Sequence, residues 1–346
     1  MKDSAPPNPV VAPTDPPSAE EGERDAVVAL ATRLGATGGR PAVQPTAIAP
    51  AQGATLAAHA AAAALGAALG WLWPALGLAL IGATAWSAWR VANGQQGWVR
   101  YWVPRSVGHN LVLWRGREPG SARPCLLVAA PLDAGPGRAP LSGAWIYALA
   151  APGALAALGV LIRWFALDFG RTLLLGGALG LLVNLIAGLT HAAARPWRQG
   201  PGPANGMIDA LRGALDERSP AHLDVVLAWI TGGPSFGDGL EIFLRNNAHK
   251  LPAHRTRVIA LAPARPPDLA RLVNVEGRWR RRAVDPVIGR AAAEVGLPVT
   301  GGVTPSARAM DAGWRAATLL VGEGAPLTPL SRLVAQLDLA AGEDRW

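Results

Sequence analysis

Apolar residues are distributed along this chain in two different ways. In three stretches no Asp, Glu, Lys or Arg occurs at all: between Arg40 and Arg90, between Arg138 and Arg163, and between Arg171 and Arg195. A helix needs about 20 mainly apolar residues to cross about 30 Å of hydrocarbon. "SGAWIYALAAPGALAALGVLI" and "TLLLGGALGLLVNLIAGLTHAAA" each fit one crossing, and "RWFALDFGR" joins them as a hairpin tip. The first stretch holds "TLAAHAAAAALGAALGWLWPALGLALIGATAWSAW", long for one helix and short for two. Gly70-Trp71-Leu72-Trp73-Pro74 interrupts it, with glycine at a helix end and proline at a helix start. A tight helical hairpin turning near Trp71 to Pro74 is the expectation, with one long tilted helix as the rival.

Elsewhere the apolar residues come in short runs that alternate in type. "HNLVLWRG", "PCLLVAAPL", "LDVVLAWI", "TRVIALAPA" and "AATLLVG" read as strands. "GMIDALRGALDER", "LEIFLRNNAHK", "DPVIGRAAAEVG" and "PLSRLVAQLDLAA" read as helices, the third with an Asp-Pro start signal. Strand–helix alternation predicts an α/β sheet with substantial parallel pairing. Strand runs that are apolar throughout suit a sheet covered on both faces. All strands must then share one side of any membrane, which an even number of crossings satisfies.

Composition agrees with a membrane chain: 50% of residues are hydrophobic and 16% charged, against about 25% charged in ordinary soluble domains. The formal net charge is +8, and every basic residue except Lys2 and Lys250 is arginine. Trp71, Trp73, Trp86, Trp89, Trp145, Trp164 and Trp197 fall at or near expected helix ends, where an indole finds both apolar and polar surroundings. Arg40, Arg90, Arg100, Arg105, Arg138, Arg195 and Arg198 flank the hairpin bases, and only Arg163 and Arg171 flank a tip. By the positive-inside rule the bases and the soluble part face the cytoplasm. Residues 1–22 are polar and proline-rich without an apolar core, which predicts a disordered tail and no signal peptide. The single cysteine, Cys125, excludes an internal disulfide and a cysteine-rich metal site.

Candidate chemistry is sparse. Gly233-Pro234-Ser235-Phe236-Gly237 matches the G-x-S-x-G pattern between a strand and a helix. An elbow hydrolase needs its acid and then its histidine further along, and only His249 and His254 follow, one helix later. Ser235 therefore reads as a residue capping or adjoining the next helix, which starts near Asp238. His59, His109, His191 and His222 are scattered, and a metal site needs three or four converging ligands. Arg278, Arg280, Arg281 and Arg282 surround Trp279; beside membrane helices, contact with anionic lipid is a better functional reading than nucleic acid. A solvated loop is the plain alternative. Asn184 and His191, polar groups inside the last apolar run, are expected to face other helices.

From Asp25 to the C-terminus the order of motifs resembles the co-catalytic zinc aminopeptidases of metallopeptidase family twenty-eight, which include aminopeptidase Y and glutamate carboxypeptidase. The residues that carry it are "ALATRLGATGGRPA", "NLVLWRGREPGSARPCLLVAAPLDA", "GPANGMIDALRGALDER", "DVVLAWITGGPSFGDGLEIFL", "RVIALAP", "GWRAATL" and "PLTPLSRLVAQLD". The resemblance implies a three-layer zinc-aminopeptidase-like α/β domain with a mostly parallel central sheet, carrying here about four transmembrane helices in two hairpins. It also implies two zinc ions held by histidines and carboxylates, with a glutamate as general base. The matching positions depart from that set. Pro131 stands at the first histidine, Gly206 beside Asn205 at the bridging aspartate, and Gly233 and Pro234 at the paired glutamates. Ala262 stands at the further aspartate and Leu327 at the last histidine; Asp133 remains, at a position that buttresses a ligand. Zinc requires imidazole, thiolate or carboxylate donors, and none of the substituted residues supplies one.

The expected organisation is a tail over 1–22, an N-terminal helix and linker over 23–53, and a first transmembrane hairpin over 54–90. The first part of the α/β domain covers 91–141, a second hairpin 142–194, and the rest of the domain 195–346. The expected function is that of a bacterial inner- or plasma-membrane pseudoenzyme without cofactor. It would bind the lipid bilayer and a protein or peptide partner, and no nucleic acid. An active membrane-bound zinc aminopeptidase and a small membrane transport component are the alternatives. Oligomeric state is open.

Overall fold

A computed structural model of the chain describes residues 19–36, 41–48, 52–92, 97–103, 106–115, 123–132, 144–165, 168–193, 203–231, 236–264, 270–276, 281–302, 304–322, 328–343 and 345–346. The elements run α1 (Ala19–Ala36), β1 (Ala42–Ile48), α2 (Gln52–Leu72), α3 (Pro74–Ala92), a 3₁₀ helix (Trp98–Trp102), β2 (Ser106–Arg115) and β3 (Cys125–Pro131). There follow α4 (Ala144–Trp164), α5 (Phe169–Ala193), α6 (Pro203–Glu217), β4 (Asp224–Ile230), α7 (Phe236–Asn246), β5 (Thr256–Pro263), β6 (Ala270–Glu276) and β7 (Arg282–Ala283). The chain closes with α8 (Pro286–Glu294), β8 (Val299–Gly302), α9 (Ser306–Asp311), β9 (Arg315–Val321) and α10 (Thr328–Gly342).

Among the described residues the strands form one nine-stranded sheet in the order β1-β2-β4-β3-β5-β9-β6-β7, with β8 on β6. β3 and β4 are buried along their whole length, as their uninterrupted apolar runs require. Alternate residues feed two cores. Leu126, Val128 and Ala130 of β3 join Val27, Leu34, Ile208, Leu211, Leu333 and Leu337 of α1, α6 and α10. Cys125, Leu127 and Ala129 join Leu240, Phe243, Leu244 and Ala309 of α7 and α9. The result is helix–sheet–helix, three layers.

The sheet is mixed, which corrects the expectation of mostly parallel pairing. β4, β3, β5 and β9 run parallel and β8 lies parallel to β6, but β1/β2, β2/β4, β6/β9 and β6/β7 are antiparallel. A parallel return needs a crossover of a dozen or more residues. β5 ends at Pro263 and β6 begins at Ala270, too soon for one, so β6 runs back. β1 occupies part of the expected linker over 23–53, and α1 begins at Ala19, inside the expected tail.

α2 to α5 pack as a separate four-helix bundle, cored by Leu56, Ala60, Ala63, Ala67, Ile81, Ala156, Val160, Leu174 and Leu181. α2 and α3 are a hairpin broken at Trp73, and the crossing is close: a Cβ on Gly77 would lie 2.3 Å from the Gly70 Cα. Leu72, Trp73, Leu175, Leu179, Leu182, Val183, Ile186 and Leu189 point outward and are exposed. Among the described residues three helices are long and apolar enough to cross a membrane: Gly53–Leu72, Tyr147–Trp164 and Phe169–Thr190.

Asn184 does face a neighbouring helix. Pro152 lies inside α4 and has no N–H to give the carbonyl four residues back. That carbonyl belongs to Ala148, and the Asn184 Nδ2–H of α5 donates to it at 3.0 Å. A second Nδ2–H donates to the Gly180 carbonyl at 2.9 Å.

Candidate functional site at the carboxyl edge of the sheet

Four parallel strands place four carboxyl ends on one edge, the edge at which open α/β sheets bind their ligands. Pro131 ends β3 opposite Ile230 of β4, and Ala262 lies one residue before the end of β5 opposite Leu320 of β9. The β3–β5 register, Ala129 against Ala260, brings Pro131 and Ala262 to the same edge in adjacent strands. Both are buried. Gly206 lies in the first turn of α6 and is exposed, with nothing within 4 Å of where a Cβ would stand. Asn205 shares that turn. Asp133, Gly233, Pro234, Ser235 and Leu327 lie outside the described residues.

Groups that sequence reasoning did not single out tie the strands together at this edge. The Thr231 amide donates to Asn110 Oδ1 at 3.0 Å, tying β4 to β2, and the Leu132 amide donates to the Ile230 carbonyl at 2.8 Å. α7 begins at Phe236, directly after Ser235 and before the expected Asp238. Its first turn presses on the end of β4: a Cβ on Gly239 would lie 2.2 Å from the Thr231 carbonyl oxygen. Glu241, buried in the same helix, accepts from Arg245 Nε at 2.9 Å. The polar Asn110 inside the otherwise apolar "NLVLW" was the one signal available beforehand.

These residues do not fit zinc. Pro131, Gly206 and Ala262 carry no donor atom, and among the described residues no group of three or more His, Cys, Asp and Glu could hold a metal. His59 sits in the helical bundle, its Nδ1 2.7 Å from the Thr55 carbonyl and its Nε2 3.0 Å from Ser87 Oγ. His222, His249 and His254 are exposed. His222 sits with its amide on Asp338 Oδ1, 2.8 Å away. Cys125 is buried beside Asp224, and loss of solvent raises its thiol pKa to about 12, which makes it inert.

Two charged clusters lie away from this edge. β6 starts opposite Val321 at the carboxyl edge and runs to Glu276 near the amino edge. Glu276 is buried there and accepts from the Thr304 amide at 3.1 Å and from the Thr304 and Ser306 hydroxyls. Burial pushes its pKa up, and the hydrogen bonds from Ser306, Thr304 and Thr318 draw it back in part. Arg257 and Asp285, both buried, meet at 2.8 Å, with the Arg257 guanidinium 4.2 Å from the centre of the Trp346 ring.

The same polarity locates the described part of the arginine cluster. β7 pairs with Val275 and Glu276 at the amino edge. Arg282 approaches Asp311 at 2.5 Å, an ion pair without hydrogen-bond alignment. Arg281 is exposed; Arg278 and Arg280 lie outside the described residues. Both helical hairpins attach at the opposite edge. Ile48 and Ser106, which bracket α2 and α3, pair with each other beyond the carboxyl end of β4, because Leu111 already stands opposite Trp229. α4 follows the carboxyl end of β3.

No protein-family model and no curated protein matches the chain. Among solved structures it is similar to BSAP, a zinc aminopeptidase from Bacillus subtilis, at 10% identity and a TM-score of 0.32, over 69% of this chain and 50% of that one. It is also similar to the LapA aminopeptidase of Legionella pneumophila, at 9% identity and a TM-score of 0.31, over 68% and 56%. The chain thus spans about half the length of the aminopeptidases it matches. The likeness is one of distant fold and assigns no residue a role.

Proposed function

We propose that this is a membrane-anchored, catalytically inactive peptidase-like protein that acts by binding or scaffolding at the membrane surface. One observation carries the reading: the first hairpin leaves and rejoins the sheet at the carboxyl edge, and the second departs from the carboxyl end of β3. That is the edge where such sheets hold ligands, so a bound protein or peptide segment is held close to the bilayer. The donor set supports inactivity, since proline, glycine, alanine and leucine stand where the resembled enzymes keep metal ligands and base. With its arginines around the hairpin bases, the α/β domain faces the cytoplasm.

The test is metal and activity analysis of detergent-purified protein that has stayed in the membrane through alkaline carbonate. The expected result is no stoichiometric zinc and no chelator-sensitive release of amino acids from peptides. About two zinc ions per chain, with chelator-sensitive cleavage, would establish an active aminopeptidase in its place. Release by carbonate would remove the anchor.

A further inference from the structure

The 3₁₀ helix at Trp98–Trp102 is absent from the sequence reading, and the fold gives it an unusual position. α3 ends at Ala92, yet the chain turns back along it. The Trp98 Nε1–H donates to the Ala83 carbonyl at 2.8 Å. The Val99 amide donates to Ser87 Oγ at 3.3 Å, and Val99 is buried. Gly97 meets Ser87 so closely that a Cβ would lie 2.4 Å from its Oγ. Ser87 and Ala83 lie about 8 and 14 Å back from the end of α3, at 1.5 Å per residue. The seat is rigid from below as well. The Thr55 carbonyl can only accept, so His59 Nδ1 carries the proton and Nε2 accepts from the Ser87 hydroxyl. Ser87 thereby links α2, α3 and the 3₁₀ helix in one chain of hydrogen bonds.

What this seat presents outward is aromatic. Tyr101 is 64% exposed and Trp102 62% exposed, with Trp98 set edge-on to Trp102. Trp86, also exposed, stacks on Trp89 nearby in α3, and Arg90 is exposed one turn from Trp86.

We infer that the Trp98–Trp102 segment is an interfacial foot whose Tyr101 and Trp102 sit in the phospholipid headgroup layer, fixing the height of the sheet's carboxyl edge above the bilayer. This rests on the reading of the helical bundle as membrane-embedded. Two features select lipid as the occupant. Amphipathic rings prefer that layer. The aromatic surface adjoins a bundle whose exposed side chains include Leu65, Leu76, Leu155, Leu179, Leu182 and Ile186. The foot ends at Trp102 and β2 starts at Ser106. Eight residues from Trp102 to Asn110 span at most about 29 Å fully extended, so the candidate site stays within that distance of the headgroups.

The test uses nitroxide labels on the full-length protein carrying Cys125→Ala, in vesicles of phosphatidylethanolamine and phosphatidylglycerol. Labels go singly at Tyr101→Cys, at Leu182→Cys on the outer face of α5, and at His249→Cys in the turn after α7. All three native side chains are exposed. Collision rates with oxygen and with a water-soluble nickel chelate report depth. The expected ratio at 101 lies between the hydrocarbon value at 182 and the aqueous value at 249. An aqueous value at 101 with a hydrocarbon value at 182 overturns the foot and leaves the anchor standing. Poor access to both reagents at 101 means burial against protein and also overturns it. An aqueous value at 182 overturns the anchor itself.

Discussion

The Asn184–Ala148 bond yields the sharpest prediction. Pro152 strips the Ala148 carbonyl of its donor within α4, and Asn184 supplies one across the bundle at 3.0 Å. Asn184→Leu keeps volume and removes the donor. With the bundle embedded in lipid, as proposed, no water replaces it, so the loss combines an interhelical hydrogen bond, about 0.6 to 1.7 kcal/mol, with part of the about 1–3 kcal/mol cost of a bare carbonyl. An overall loss of about 2 kcal/mol is expected. In a Pro152→Ala background residue 152 regains its amide and donates to Ala148 itself. Asn184→Leu should then cost about 0.5 to 1 kcal/mol, leaving a coupling of about 1 kcal/mol in the double-mutant cycle. The cycle also removes the packing change that the proline ring leaves against α5. The assay is reversible unfolding in mixed micelles with rising dodecyl sulfate, followed by far-ultraviolet circular dichroism. Equal costs in the two backgrounds would refute the reasoning, because the carbonyl would then have another donor.

Two further predictions concern the α/β domain. The pKa of Glu276 is raised in the folded state above the ordinary 4.5, with burial the largest cause. Its stabilising contribution is therefore complete below that value and is lost as pH climbs through the raised one. Glu276→Gln should flatten the stability profile above pH 4.5, as read from denaturant midpoints across pH; an unchanged profile would count against the cluster. Asp285 caps α8 through the Val287 and Ile288 amides and also holds buried Arg257. Asp285→Ala should cost about 3–5 kcal/mol by leaving that guanidinium unpaired, while Asp285→Asn should recover about 1 kcal/mol through the retained cap. Equal denaturation midpoints for the two variants would deny the cap its share.

The apolar patterning announced the helices of the bundle and the strands β2, β3, β4, β5 and β9, because a residue's burial depends first on what it is. Gly70 to Pro74 marked the hairpin break for the same local reason. β1, with Pro45 and Gln44 in it, and β6, interrupted by Asn274, lack an apolar run and were passed over. That Pro131, Gly206 and Ala262 carry no metal-binding side chain could be read from the sequence alone.

Direction and position could not. Whether an apolar run points up or down its sheet depends on how the chain returns to it, so the antiparallel flanks, and with them the edge holding the arginines, emerged only in three dimensions. The same holds for Asn110 reaching Thr231, 121 residues away, and for the aromatic foot folded back onto Ser87. From the sequence by itself came a chain with membrane-length apolar helices and an α/β sheet buried on both faces. Tertiary structure decided which edge of that sheet both hairpins share, because strand polarity is settled by contacts between residues far apart in the chain.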